Sequence, residues 1–230
     1  MGEPRDRDRF PVAAYARACR AHGARLFIDG TQALGKLPID VETLGADALA
    51  VAAQKVGGPA GAGACWVRRG LDVEPVFDGG SQERGRRPGT PDSASMVGFG
   101  AACLLVAQRV EAQLAIAALR DRLESRLREL GALTNAGEAP RVATVSNLSF
   151  DGWEGPLLVA ALDLEGVCVS TGAACSSGLQ EPSAVIGAMY PDEQWRARSA
   201  VRISLGFETS PRDIETALHA FRRVLARKES

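Results

Sequence analysis

The sequence predicts an α/β protein, and three observations carry that reading. Helix-like and strand-like segments alternate along the chain. The strand-like runs are short, apolar and rich in small and β-branched residues, as in sheets buried on both faces. With 46% hydrophobic and 24% charged residues over 230 positions, there is enough apolar material for one large domain or two small ones.

Residues 12–22 carry apolar and small side chains at helical spacing and stop at Gly23, and RLFID (25–29) follows as a strand. ALAVAAQ (48–54) and ACWVRR (64–69) read as further strands of a sheet covered on both faces, separated by the turn-forming KVGGPAGAG. The Gly-, Pro- and Arg-rich stretch 74–92 reads as a loop long enough to suspect function. A helical stretch from about Ser93 to Leu130, interrupted near LAIAAL (114–119), leads into a second part. There the pattern predicts a strand at 143–150, a helix near 155–166, a strand VCVS (167–170), a small-residue loop 171–182 and a helix from Ser183. A strand VRISLG (201–206) and a last helix from Arg212 complete it. The expected division is residues 1–100 and residues 101–230.

The formal net charge of −1, with Lys and Arg interspersed among Asp and Glu, gives no overall basic field for nucleic acid. No apolar run approaches the ~20 residues of a membrane span, and MGEPRDRDRF has no apolar signal core, so no membrane association and a cytoplasmic location are expected. Five cysteines (19, 65, 103, 168 and 175) without paired spacing speak against a disulfide framework and a zinc site. Cys19, Cys65, Cys103 and Cys168 lie in apolar runs and are expected to be shielded, leaving Cys175 exposed in a loop of Thr, Gly, Ala and Ser.

Asp29 and Lys55 end successive strand-like segments. Pyridoxal phosphate chemistry needs such a pair: an amine that condenses with the cofactor aldehyde, and a carboxylate that keeps the pyridine nitrogen protonated. Either residue alone also has an ordinary surface reading. Cys175 is a nucleophile whose small neighbours permit movement, though an incidental loop cysteine reads the same way. Arg202 sits in an apolar strand, where its planar fork suits a substrate carboxylate or, equally, a structural ion pair. The loop GGSQERGRRPGTPD exposes glycine N–H groups and, with Thr90 and its arginines, can hold an anion.

In order, from about Pro11 to the end, these segments resemble the cysteine desulfurases of the class V aminotransferase family, specifically the group with a longer, mobile catalytic-cysteine loop. The resemblance implies a partial large domain of the fold-type I pyridoxal phosphate transferases, a mixed or parallel sheet with helices on both faces, followed by a small C-terminal α+β domain. It implies Asp29 as partner of the ring nitrogen, Gln32 as donor to the ring hydroxyl and Lys55 as the cofactor-bearing lysine. It further implies Thr90 as a phosphate contact across a homodimer interface, Cys175 as sulfur acceptor and Arg202 as carboxylate ligand. Two departures stand out. Ala52-Ala53-Gln54-Lys55 replaces the family's Ser-x-His-Lys, leaving Gln54 as the side chain that can donate to the phosphate. Family members also carry a long stretch ahead of the region matching Pro11, with the phosphate cradle and a ring-stacking histidine. His22 and His219 do not fit that role and read as surface residues.

The implied function is transfer of sulfur from L-cysteine to Cys175 as a persulfide, with release of L-alanine. A sulfur-acceptor or scaffold protein of iron–sulfur or thio-cofactor assembly would receive the sulfur. The alternatives are a catalytically silent paralogue or half of a split enzyme completed by an N-terminal chain, and a lyase for selenocysteine or another β-substituted amino acid.

Overall fold

The structure is a computed structural model that describes residues 12–172 and 182–227, so Cys175 lies outside the described residues. The chain divides into two compact units, residues 1–111 and 112–230.

The first unit opens with α1 (Val12–Ala21), which buries Ala16, and continues into β1 (Phe27–Asp29). A short α2 (Val41–Leu44), not foreseen in the sequence, is framed by local chemistry. The Asp40 carboxylate accepts from the N–H groups of Glu42 and Thr43, and Gly45 closes the helix at φ 66°. β2 (Ala48–Ala52) runs parallel to β1 and β3 (Gly63–Val67) antiparallel to β2, giving the order β1-β2-β3. After a loop with one 3₁₀ turn (Gln82–Gly85) come α3 (Ser93–Leu104) and α4 (Val106–Glu111). The Asp92 side chain caps α3 by accepting from the Ser95 N–H at 3.1 Å.

The apolar cluster of this unit is small: Ala53, Val56, Phe99 and Ala102, with Leu34, Val51, Ala62 and Val106 against it. Phe27, Val97 and Leu104 are instead 60%, 73% and 84% exposed. The expectation of strands covered on both faces is therefore corrected within this unit: Gly63, Ala64 and Cys65 of β3 are exposed, because no further layer lies over them among the described residues.

In the second unit, α5 (Gln113–Glu129) leads into β4 (Ala132–Thr134) and β5 (Val145–Phe150), then α6 (Gly155–Leu164). Two short helices, α7 (Ala184–Met189) and α8 (Trp195–Ser199), precede β6 (Ala200–Ser204) and α9 (Pro211–Ala226). The sheet is antiparallel in the order β4-β5-β6. α9 starts in a capping box between Ser210 and Asp213 with Pro211 in the first turn. Its residues Ile214, Leu218, Phe221 and Val224 recur on one face and are all buried. They meet Leu148, Phe150 and Val201 of the sheet and Leu158 and Leu162 of α6, with the Phe150 and Phe221 rings stacked at 5.5 Å.

The long helical stretch breaks at Leu105 and Ala112, before the expected position near residues 114–119. VCVS forms no strand: only Ser170 pairs, in a single antiparallel bridge with Arg202. Among the described residues no single helix is long and apolar enough to cross a membrane.

Candidate active site

Asp29 is the last residue of β1 and pairs in register with Ala50, while Lys55 follows β2 by three residues. Because β1 and β2 are parallel, both side chains belong to the carboxyl end of the pair, the end at which open α/β sheets bind ligands. Gly30 lets the chain turn there. It donates to the Ala50 carbonyl at 2.8 Å, and a Cβ on it would sit 3.2 Å from Leu49 Cδ2 and 3.3 Å from the Ala50 oxygen. Asp29 is exposed. Its carboxylate accepts from the Thr31 N–H at 2.9 Å, and Thr31 hydrogen bonds hold it below the ordinary aspartate range, ionised and suited to face a protonated ring nitrogen.

Lys55 lies in the 3₁₀ turn Ala53–Val56, between buried Ala53 and Val56, with Gln54 and Lys55 themselves exposed. Those two apolar anchors fix the turn, and Gly57, at φ 71°, ends it with its N–H on the Ala53 carbonyl. Arg109 of α4 donates to the Val56 carbonyl from the other side. Gln32 stands on the turn leaving β1, where its Oε1 accepts from Lys36 Nζ at 2.8 Å. Thr90 is exposed on the stretch just before α3.

Arg202 belongs to the second unit. On β6 it is half-buried and pairs with Asn147 of β5. Its backbone exchanges two hydrogen bonds with Ser170, at 3.1 and 2.6 Å, and its Nη2 reaches the Ser170 Oγ at 3.5 Å. Among the described residues no carboxylate pairs with it, and its buried Nε has no partner. A structural ion pair is thus not what the described residues give it, and a guanidinium so placed favours an incoming anion. Ser170, which sequence reasoning did not single out, holds this arginine through the bridge and the Oγ contact; the only signal was a small polar residue opening STGAACSSG.

The topology puts Asp29 and Lys55 at the carboxyl end of the β1–β2 pair, with Gln32 and Gln54 on the segments that leave those strands, and Ser170 meets Arg202 in the second unit. His22 and His219 are both exposed, as expected. The expectation that four cysteines are shielded is corrected: Cys19 is half-buried and Cys65, Cys103 and Cys168 are exposed. Their apolar runs have a solvent side, and the thiols lie on it.

Comparison with known proteins adds the family. Residues 8–217 match the aminotransferase class-V family. A cysteine desulfurase of Bradyrhizobium diazoefficiens is 40% identical over 220 residues, covering 95% of this chain and 56% of that protein. An IscS-like cysteine desulfurase of Mycobacterium tuberculosis is 38% identical over 94% of this chain and 56% of its own length. Among solved structures, a NifS-like protein from Rickettsia africae is similar at a TM-score of 0.81 and 26% identity, over 93% of this chain and 57% of that one. A second NifS-like protein reaches a TM-score of 0.84 at 28% identity, over 94% and 57%. These neighbours define the class as α/β proteins of the NifS-like fold. The chain belongs to the class V aminotransferase family, whose members are pyridoxal phosphate enzymes. It spans just over half the length of the curated relatives it matches.

Proposed function

We propose that this chain carries the lysine, the ring-nitrogen carboxylate, the nucleophilic thiol and the carboxylate-binding arginine of a pyridoxal phosphate-dependent cysteine desulfurase. The observation that supports this reading best is the placement of an ionised Asp29 and of Lys55 at one end of a parallel strand pair, in a chain whose relatives bear that name. The donor set fits the cofactor: an amine for its aldehyde, a carboxylate for its ring nitrogen, and the amides of Gln32 and Gln54 for its hydroxyl and phosphate. When bound, pyridoxal phosphate supplies an electron-accepting ring.

The chain's own residues do the rest. Lys55 anchors the cofactor and, once released by substrate, moves a proton at the substrate carbon. Arg202 orients L-cysteine through its carboxylate. Cys175, as thiolate, forms a bond to the substrate sulfur while the carbon–sulfur bond breaks; alanine leaves with the carbon skeleton and the persulfide stays on Cys175. Thr90 contacts phosphate from a second copy, making the assembly a homodimer, and the persulfide passes to a sulfur acceptor or scaffold protein of iron–sulfur or thio-cofactor assembly in the cytoplasm.

A second reading, a chain completed by another polypeptide, would account for the exposed Phe27, Val97 and Leu104 beside a four-residue buried cluster. A chimera separates the two readings: the N-terminal region of the Bradyrhizobium relative placed ahead of Pro11. With L-cysteine and cofactor, the chimera is expected to release alanine and to carry 32 mass units more on the Cys175 peptide (~32 for one sulfur atom). Cys175→Ser should abolish both. Alanine release by the chain alone removes the need for completion, and alanine release that survives Cys175→Ser contradicts the sulfur-transfer reading.

A further inference from the structure

At the end of the first sheet opposite Asp29 and Lys55 lies a groove of about 1060 Å³. Its place follows from the topology: Arg25 precedes β1, Asp47 precedes the parallel β2, and Arg68 follows the antiparallel β3, so all three collect at the amino end of the parallel pair. Six arginines from four segments line it: Arg20 at the end of α1, Arg25, Arg68 and Arg69 at the strand ends, and Arg84 and Arg86 on the long loop. Among the described residues they face only two carboxylates, Glu42 and Asp47, a surplus there of four positive charges in a chain whose formal net charge is −1.

Asp47 is already committed. Its side chain is 15% exposed, and it accepts from the Leu26 N–H at 2.8 Å and from Arg68 Nε and Nη2 at 3.0 and 2.8 Å, with Arg25 at 3.9 Å. This network fixes Arg68 and Arg25 as walls. Arg20, Arg69, Arg84 and Arg86 are exposed, and among the described residues none is in an ion pair. Gly45 gives Arg20 its room, since a Cβ there would lie 2.5 Å from Arg20 Nη1. The lining between the guanidinium groups is apolar: Val41, Ala46, Trp66 and Val67.

We propose that this groove docks an acidic, partly apolar segment of another protein. Concentrating like charges in a concavity raises the local potential for an incoming anion. Guanidinium forks pair bidentately with carboxylates, and the half-buried Trp66 offers an apolar face beside them. A long phosphate backbone fits less well, because the chain outside the groove is net negative and repels it beyond the groove's rim. The proposal does not depend on the cofactor or on sulfur transfer, and it survives failure of either.

The test is fluorescence anisotropy of fluorescein-labelled octaglutamate with the full chain at low salt, beside an oligothymidylate of eight nucleotides. Octaglutamate should bind more tightly than oligothymidylate and weaken as salt rises. Arg20→Gln/Arg69→Gln, which leaves the Asp47 network intact, should weaken it roughly tenfold, from the usual worth of exposed charge pairs. Arg122→Gln/Arg126→Gln on α5 should leave it unchanged, and each single groove variant should give part of the loss, with the same far-ultraviolet circular dichroism throughout. Absence of octaglutamate binding, equal losses in groove and α5 variants, or tighter groove-dependent binding of oligothymidylate would overturn the proposal.

Discussion

Arg202 and Glu124 are both charged groups drawn into the second unit, with opposite solutions. Glu124, 3% exposed, is held in a two-pronged pair by Arg141. Burial pushes its carboxyl upward, but the two Arg141 hydrogen bonds and the Arg141 charge outweigh that and hold it below the ordinary glutamate value. A carboxylate whose folded value is depressed stabilises the fold fully above the unfolded value and loses that contribution as pH falls through the folded one. Thermal melting should therefore fall on acidification below about 4.5. Glu124→Gln should cost about 3 kcal/mol at neutral pH, the lower end for breaking a buried pair, and flatten part of the acid dependence. A melting profile parallel to wild type from pH 7 to 3 would contradict this. Arg202 has no such described partner, so its expected partner arrives with the substrate. In the chimera, Arg202→Ala should raise the KM for L-cysteine roughly 10- to 100-fold, as expected for a lost charge-assisted hydrogen bond, with a smaller effect on kcat. An unchanged KM would return Arg202 to a structural role. Because Cys65, Cys103 and Cys168 are exposed, alkylation alone does not single out Cys175, and only the sulfur added to its peptide does.

At the scale of elements, the two units differ in how their strands and helices are held. β5, β6, α6 and α9 share a core of Leu148, Leu158, Leu162, Val201, Leu218 and Phe221, each at 0% exposure, whereas β1 and β3 have exposed residues within the strand. Hydrogen exchange should be slowest at amides of β5, β6 and α9 and fastest in β1 and β3. Phe221→Ala should cost about 4 kcal/mol in the second unit, from lost burial and the cavity left behind. Uniform protection across both units, or a loss below ~1 kcal/mol, would contradict this division. Much of this was legible beforehand. α1 and α9 follow from apolar spacing, and β5 and β6 from short β-rich runs. What was missed is short or set by tertiary contact. β4, three residues long, is too brief to show a period, and α2 is specified by its Asp40 and Gly45 caps rather than by a pattern. VCVS has strand composition, yet only Ser170 meets a partner backbone. The site divides the same way. Asp29, Lys55 and Arg202 stand out as candidates by residue type and order, as does Cys175 outside the described residues, but the contact of Ser170 with Arg202 depends on a bridge across 32 residues.

For the molecule as a whole, the governing fact is a first unit with a small buried cluster and large exposed side chains, in a chain spanning just over half of its relatives. Exposed apolar surface of this extent, beside an edge of β1 that no strand pairs among the described residues, favours association. Light scattering should give a mass of at least twice the 24.2 kDa of one chain, and fusion of the relative's N-terminal region should reduce any larger aggregates. A stable 24.2 kDa monomer over a hundredfold range of concentration (~10² in a dilution series) would contradict it. The central claim, that this is a cofactor-bearing lysine site, is tested most directly by reducing the pyridoxal phosphate-treated protein with borohydride and mapping the product by mass spectrometry. The chain and the chimera are each treated, beside their Lys55→Ala variants. The account predicts a phosphopyridoxyl group on the peptide containing Lys55 and none in the variants. No adduct on that peptide in either protein, or one of equal yield on Lys36, would contradict it.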